Sequence, residues 1–206
     1  MKKYIITALG MFVLYSCNNA NIAAVNIDAS TNDSVTQHVA KNNTAPAESI
    51  FAMNDTFQTQ DKKDLVLSSL AGRPTVICMI FTNCSYACPK LTGEMKTIAD
   101  KLNADRNKVN FVMVSFDTDR DTPEQLKKFQ NHMSLDDNWM LLHGSEQSVR
   151  TLSVLLNVQF EKDAEGDFSH SNIISVLDKN GALAFQKEGL EADQKETVDK
   201  IHELVN

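Results

Sequence analysis

Basic residues are in deficit. The chain of 206 residues carries 20 Lys and Arg against 27 Asp and Glu, a formal net charge of −7. A surface of that sign makes no electrostatic case for nucleic acid as a partner. The spacings of structural zinc sites are missing too. There is no Cys-x-x-Cys pair and no His-x-x-x-His pair to complete a set of four protein ligands. Proline occurs only as Pro46, Pro74, Pro89 and Pro123, and no internal repeat is present. The apolar stretch near the N-terminus, Tyr4 to Tyr15, is too short to span a bilayer comfortably.

That stretch has another reading. Lys2 and Lys3 form a positive start, the apolar run follows, and Leu14-Tyr15-Ser16-Cys17 closes it. This is the layout of a secretory signal peptide. The Leu-x-x-Cys ending resembles a bacterial lipobox, which implies cleavage after residue 16 and a lipid on Cys17. Its sulfur would then be a thioether with no redox role. The expected location is the cell membrane, lipid-anchored and facing the periplasm or exterior. Residues 18 to about 48 are rich in Asn, Ala, Thr, Ser and Asp and hold no aromatic residue. Such a segment buries too little apolar surface to offset the entropy of ordering, so 17–48 reads as a lipidated cysteine and a flexible tether. His38 falls within it as a solvated residue.

The folded domain is expected over 49–206. Thr56 to Thr59 and Leu65 to Leu67 read as strands around a polar turn, an N-terminal β-hairpin extension. Ser68 to Gly72 reads as a short helical turn. Thr75 to Phe81 is a continuous apolar, β-branched run, as in a strand buried on both faces. A helix follows, with Pro89 at its first position and Leu91, Met95, Ile98 and Leu102 at helical spacing. Val109 to Phe116 is the next strand. Thr122-Pro-Glu-Gln125 opens a helix with a capping box. Met140 to Leu142, then a helix from Ser145 to Leu156, then a brief strand at Val158 to Phe160 complete the middle. Ile173 to Leu177 and Leu183 to Gln186 flank the turn Asp178-Lys-Asn-Gly181, and Glu191 to Val205 closes the chain as a helix. Alternating units with buried strands predict an α/β sandwich around a central mixed sheet, in a thioredoxin-like order.

The chemistry-bearing residues gather in Phe81-Thr-Asn-Cys84-Ser-Tyr-Ala-Cys88-Pro89, between a buried strand and a helix. Ligands of open α/β sheets bind at the carboxyl ends of strands. A residue before proline disfavours helical geometry, so Cys88 is expected at the N-cap and Cys84 in the loop. Free N–H groups there are expected to lower both thiol pKa values. Two such thiols can close a disulfide or share a soft metal ion. Cys78 lies inside the apolar strand and reads as core.

Cys84-x-x-x-Cys88-Pro89 resembles the motif of the SCO/SenC family of copper chaperones. Val114 to Leu126, with Asp117 and Asp121, is similar to the family's second segment. Phe168-Ser-His170 through Gly181 is similar to the third, which supplies a histidine ligand. The three matches run in order across about 50–206. Ser85 departs from the family, which often has proline there. The resemblance implies one copper ion on Cys84, Cys88 and His170, as Cu(I) or also Cu(II), since thiolate suits Cu(I) and imidazole suits copper in both states. It implies delivery to a copper-accepting protein, the CuA-type centre of cytochrome c oxidase subunit II. It also places Asp117 and Asp121 close to the site, where they would tune His170 or the copper charge. As turn and cap residues of a polar loop they need no such role.

Two alternatives stand beside the metallochaperone. In a thiol-disulfide oxidoreductase, Cys84 would attack and Cys88 would resolve, keeping the acceptor's cysteines reduced. Oxidoreductases of thioredoxin-like fold usually carry a proline in the loop entering the strand at 173, and none is near residue 170. A copper or redox sensor is the third reading. A thiol peroxidase is weaker, because Arg73 is not obviously placed to activate peroxide. His132, His143 and His202 are expected on the surface.

Overall fold

The computed structural model describes residues 49–206. The expected signal peptide, Cys17, the tether and His38 lie outside the described residues.

The chain runs through β1 (Thr56–Thr59), β2 (Asp64–Val66), β3 (Thr75–Ile80), α1 (Ala87–Lys101), β4 (Asn110–Ser115), α2 (Pro123–His132), β5 (Trp139–His143) and α3 (Glu146–Leu155). It continues through β6 (Phe160–Lys162), β7 (Phe168–His170), β8 (Ile173–Leu177), β9 (Leu183–Glu188) and α4 (Lys195–Val205). Three 3-10 turns at Ile50–Ala52, Leu67–Leu70 and Asn103–Lys108 punctuate the series. Seven strands form one sheet in the order β2-β1-β5-β4-β3-β8-β9, and β6 and β7 form a separate pair. β3, β4 and β5 are parallel, while β1 and β8 run antiparallel to their neighbours. The fold is the expected thioredoxin-like α/β sandwich on a mixed sheet.

Burial explains the sheet. Every residue of β3, β4 and β8 is buried, so both faces of these central strands are covered. α1 buries Leu91, Met95 and Ile98 and packs beside α4, which buries Val198 and Ile201. α2 starts with the Thr122 hydroxyl accepting from the Gln125 N–H and Pro123 at the first position, but the expected capping box is not closed: the Gln125 side chain donates to the Thr82 hydroxyl and the Thr122 N–H to the Arg120 carbonyl. Ser145 caps α3 in the same way.

Several boundaries differ from expectation. The second strand is Asp64–Val66, because Leu67 turns inward as the first residue of a 3-10 turn. Gly181, at φ +80°, closes the β8–β9 turn with its Cα against the Phe51 ring, where a Cβ would sit 2.5 Å from a ring carbon. α4 begins at Lys195 and not at 191, since Glu191 takes a positive φ of 61°. The strand expected at 158–160 instead runs Phe160–Lys162 and pairs with Phe168–His170. That hairpin spans polar sequence with no apolar alternation. Its pairing comes from the turn at Gly166 and the packing of Phe160 and Phe168.

Register decides what meets at the site. Ile80 pairs with Ser115 in the parallel ladder, so the segments after β3 and β4 emerge together. Cys78 pairs with Ile174 in the antiparallel ladder, so the segment entering β8 arrives at the same end. The cysteine loop, the loop at 116–121 and the β6–β7 hairpin therefore converge at the carboxyl ends of the parallel strands.

Candidate metal centre

α1 begins at Ala87, so Cys88 is its second residue and Pro89 its third. This corrects the expected N-cap position of Cys88. Proline is tolerated there because N–H groups of the first turn have no intrahelical acceptor. Tyr86, the residue at the cap, supplies no side-chain cap. A sulfur takes over part of that role: the Cys88 N–H donates to Cys84 Sγ at 3.4 Å. The Phe81 N–H in turn donates to Cys88 Sγ at 3.4 Å. The loop is thus folded around its own two sulfurs.

Cys88 is fully buried, whereas Cys84 is partly exposed. Burial pushes the Cys88 thiol well above its ordinary range, with the neighbouring Cys84 adding to the effect and the Phe81 N–H opposing it. The helix N-terminus does not lower this thiol as expected, since desolvation outweighs a few oriented N–H groups. Cys78 is buried in β3, as its sequence position indicated.

His170 ends β7 and turns its ring to the cysteines. Its Nε2 lies 3.7 Å from Cys88 Sγ. Its Nδ1 lies 3.1 Å from the Ser171 carbonyl oxygen. A carbonyl only accepts, so Nδ1 is the nitrogen that donates to it, which leaves Nε2 as the nitrogen turned to the sulfurs. The ring is set by aromatic neighbours, 5.0 Å between centroids from Phe116 and 6.1 Å, edge-on, from Phe81. Phe168 and Phe160 extend the cluster.

The donor atoms of Cys84, Cys88 and His170 all lie within 4.8 Å of one another. Three donors at ordinary metal–sulfur and metal–nitrogen distances in a trigonal plane stand roughly 4 Å apart. The set therefore fits one soft ion with minor closure. Two thiols, one imidazole and an aromatic wall suit Cu(I) better than a hard cation.

Asp117 and Asp121 are both buried, but neither belongs to this donor group. Asp121 holds the cysteine loop. Its carboxylate accepts from the Thr82 N–H at 2.8 Å, from the Thr82 hydroxyl at 2.5 Å and from the Ser115 hydroxyl at 2.5 Å. Burial raises its pKa despite these donors. Asp117 holds the hairpin: it pairs with Arg120, whose other nitrogen donates to the Gly166 carbonyl at the hairpin tip. Lys162 bonds Asp119 at 2.7 Å and approaches Asp117 at 4.0 Å. Arg120, Lys162 and Thr82 were not legible as site residues in sequence. Only the i, i+3 spacing of Asp117 and Arg120 hints at the pair. His202 pairs with Asp105 far from the site, His132 is exposed, and His143 is half-buried at the end of β5.

An open groove of about 550 Å³ runs past the cysteines, lined by Phe81, Asn83, Cys84, Tyr86, Phe168 and His170 among others. A thioredoxin-like fold with two cysteines and a histidine at the carboxyl end of its sheet defines a class of small thiol-and-metal proteins. Comparison with known proteins narrows it. The family described as SCO1/SenC matches residues 44–206, and the chain belongs to that family. It is 43% identical over 94 residues to the SCO1 protein homolog of Bacillus subtilis, a match covering 45% of this chain and 49% of that one. The chain thus matches about half the length of this relative. A SCO1/SenC family lipoprotein of Bacillus anthracis superposes with a TM-score of 0.68 at 28% identity, covering 73% of this chain and 92% of that one. ScoI of Bradyrhizobium japonicum, solved with copper bound, shares the fold with a TM-score of 0.64 at 24% identity, covering 73% and 96%.

Proposed function

We propose that this protein is an extracytoplasmic copper chaperone that binds one copper ion through Cys84, Cys88 and His170 and passes it to an acceptor. The observation that carries the reading is the convergence of these three donors, from segments far apart in sequence, to within 4.8 Å. Membership of the SCO1/SenC family supports it. Copper is cargo in this reading. The buried Cys88 and the oriented His170 hold it, while the partly exposed Cys84 is the point from which an incoming ligand takes it by exchange. The acceptor is a CuA-type centre of cytochrome c oxidase subunit II. Residues 1–16 act as a lipoprotein signal, Cys17 carries the lipid, and 17–48 tether the domain to the membrane.

Anaerobic Cu(I) titration of the reduced chain tests the reading. One tightly bound copper per chain is expected, lost in Cys84→Ser and weakened in His170→Ala. Stoichiometric tight binding retained in Cys84→Ser would refute it.

A second activity is favoured by the closeness of the two sulfurs, which lie within 4.8 Å of each other. Cys84 thiolate attacks an acceptor disulfide, forming a mixed disulfide and releasing one acceptor thiolate. Cys88, once deprotonated, attacks the Cys84 sulfur, closes the Cys84–Cys88 disulfide and releases the second. The raised Cys88 pKa slows that second step. A reduced acceptor dithiol and an oxidised chain are the products, and mass spectrometry of both after mixing checks them.

A further inference from the structure

The pairing of β6 with β7 leaves a specific set of backbone groups without partners. The Asp163 N–H donates to the Asp167 carbonyl at 2.8 Å, and the Ser171 N–H donates to the Gln159 carbonyl at 2.9 Å. These bonds bracket the register Lys162↔Phe168, Glu161↔Ser169, Phe160↔His170. In an antiparallel ladder hydrogen-bonded and non-hydrogen-bonded pairs alternate. Ser169 therefore turns its N–H and C=O to β6, while Phe168 and His170 turn theirs away. Among the described residues, no backbone bond outside the ladder reaches the N–H or C=O of Phe168 or His170.

That outer edge borders the groove beside Cys84. The groove beside Cys84 is lined on one side by Asn83 to Ala87 and on the other by Asp167 to His170 and Asn172, with no residue of β6. A strand added to β7 would lie about 4.8 Å from it, inside this groove and alongside Cys84. Two further features suit an extended occupant. Asn172 Oδ1 is buried in the groove wall and has no hydrogen-bond partner. Tyr86, 63% exposed, stands on the opposite wall with the Lys90 ammonium 4.6 Å from its ring centroid. The hairpin is acidic, with Glu161, Asp163, Glu165 and Asp167, and its one lysine, Lys162, is engaged with Asp119. Of these acids Asp167 lines the groove itself, and Lys90 on the far wall is paired with Glu191, so a segment laid along β7 runs beside a hairpin of net negative charge.

We propose that the free edge of β7 docks an extended, cysteine-bearing segment of the partner protein, flanked by basic residues, as an added β-strand. Pairing is with the N–H and C=O groups of Phe168 and His170, and it lays the segment's thiol against Cys84. The identity of the occupant rests on the copper-transfer reading; the docking mode does not. The same backbone that orients the His170 imidazole would then align the incoming thiol.

The test uses the reduced, metal-free full chain and a short synthetic peptide of alternating Val and Thr with a central Cys and Lys at both ends, under anaerobic conditions. Amide hydrogen exchange of Phe168 and His170 is expected to slow on peptide addition, with that of Ser169 unchanged. N-methylating the two peptide amides that face β7 is expected to weaken binding roughly ten-fold. Replacing the flanking Lys by Glu is expected to weaken it further. Binding without protection of these two amides overturns the proposal, as does equal affinity for the N-methylated peptide or no saturation at about 1 mM peptide. So does a concentration-dependent dimer that protects the same amides without peptide, since the occupant would then be a second copy. No copper enters this assay. A failed copper titration leaves it standing, and a failed peptide experiment leaves the copper reading intact.

Discussion

Cys88 Sγ and His170 Nε2 lie 3.7 Å apart although 82 positions separate them in the chain. The contact is made by two elements that each hold one partner firmly. α1 carries Cys88 fully buried, and the hairpin before β8 carries His170 with its Nδ1 tied to the Ser171 carbonyl. Each of the following expectations probes a different part of that arrangement.

Replacing His170 by Ala removes one donor and leaves both sulfurs in place. Cu(I) affinity should fall by on the order of a hundred-fold or more, since even contacts outside the ligand set are worth ten- to a hundred-fold. The Cys84–Cys88 disulfide should still form. Competition against a chromophoric Cu(I) chelator, with a thiol count after oxidation, measures both. Unchanged affinity would remove His170 from the proposed ligand set.

Copper affinity should rise with pH. Burial holds the Cys88 thiol above its ordinary pKa, so at neutral pH it carries a proton that copper must displace. Below that raised pKa, each pH unit then strengthens binding about ten-fold for this one proton. Affinities measured at several pH values around neutrality give the slope. A flat profile would mean that Cys88 is already a thiolate in the metal-free protein.

Asp121→Ala should destabilise the fold by about 3 kcal/mol, because the Thr82 N–H and the Thr82 and Ser115 hydroxyls lose their common acceptor. Urea unfolding monitored through Trp139 gives the value. Stability within about 0.5 kcal/mol of the wild type would contradict the assigned role of this carboxylate.

Arg120→Ala should loosen the hairpin without touching a ligand. Its guanidinium joins the buried Asp117 to the Gly166 carbonyl at the hairpin tip. Amide exchange at Ser169 should quicken, and Cu(I) affinity should drop roughly ten-fold, less than for His170→Ala. Arg120→Lys, which keeps the charge but not the fork, should recover part of both. A drop in affinity with no change at Ser169 would place the effect elsewhere.

Much of this architecture was legible in sequence. Thr75 to Phe81 is apolar without interruption, and it is the strand buried on both faces. Thr122 and Ser145 read as caps and act as caps. The β6–β7 hairpin was not legible. Its residues carry no period, and Phe160 and Phe168 come together by packing on Phe116, which the sheet places there. The start of α1 was misjudged for a local reason: the rule against helical geometry before proline is outweighed by the Cys88 N–H to Cys84 Sγ contact and by burial of Cys88.

By itself the sequence determined the donor types, the order of the strands and helices apart from the β6–β7 hairpin, and the family resemblance, because each depends on residue identity and short-range spacing. Tertiary structure decided which donors meet, through the antiparallel register of Cys78 with Ile174 that brings His170 to the cysteine loop. It decided that Cys88 is buried with a raised pKa while Cys84 is open to the groove, and that Asp117 and Asp121 brace the site instead of joining its donors. Those outcomes depend on long-range packing and desolvation, which no spacing of residues along the chain encodes.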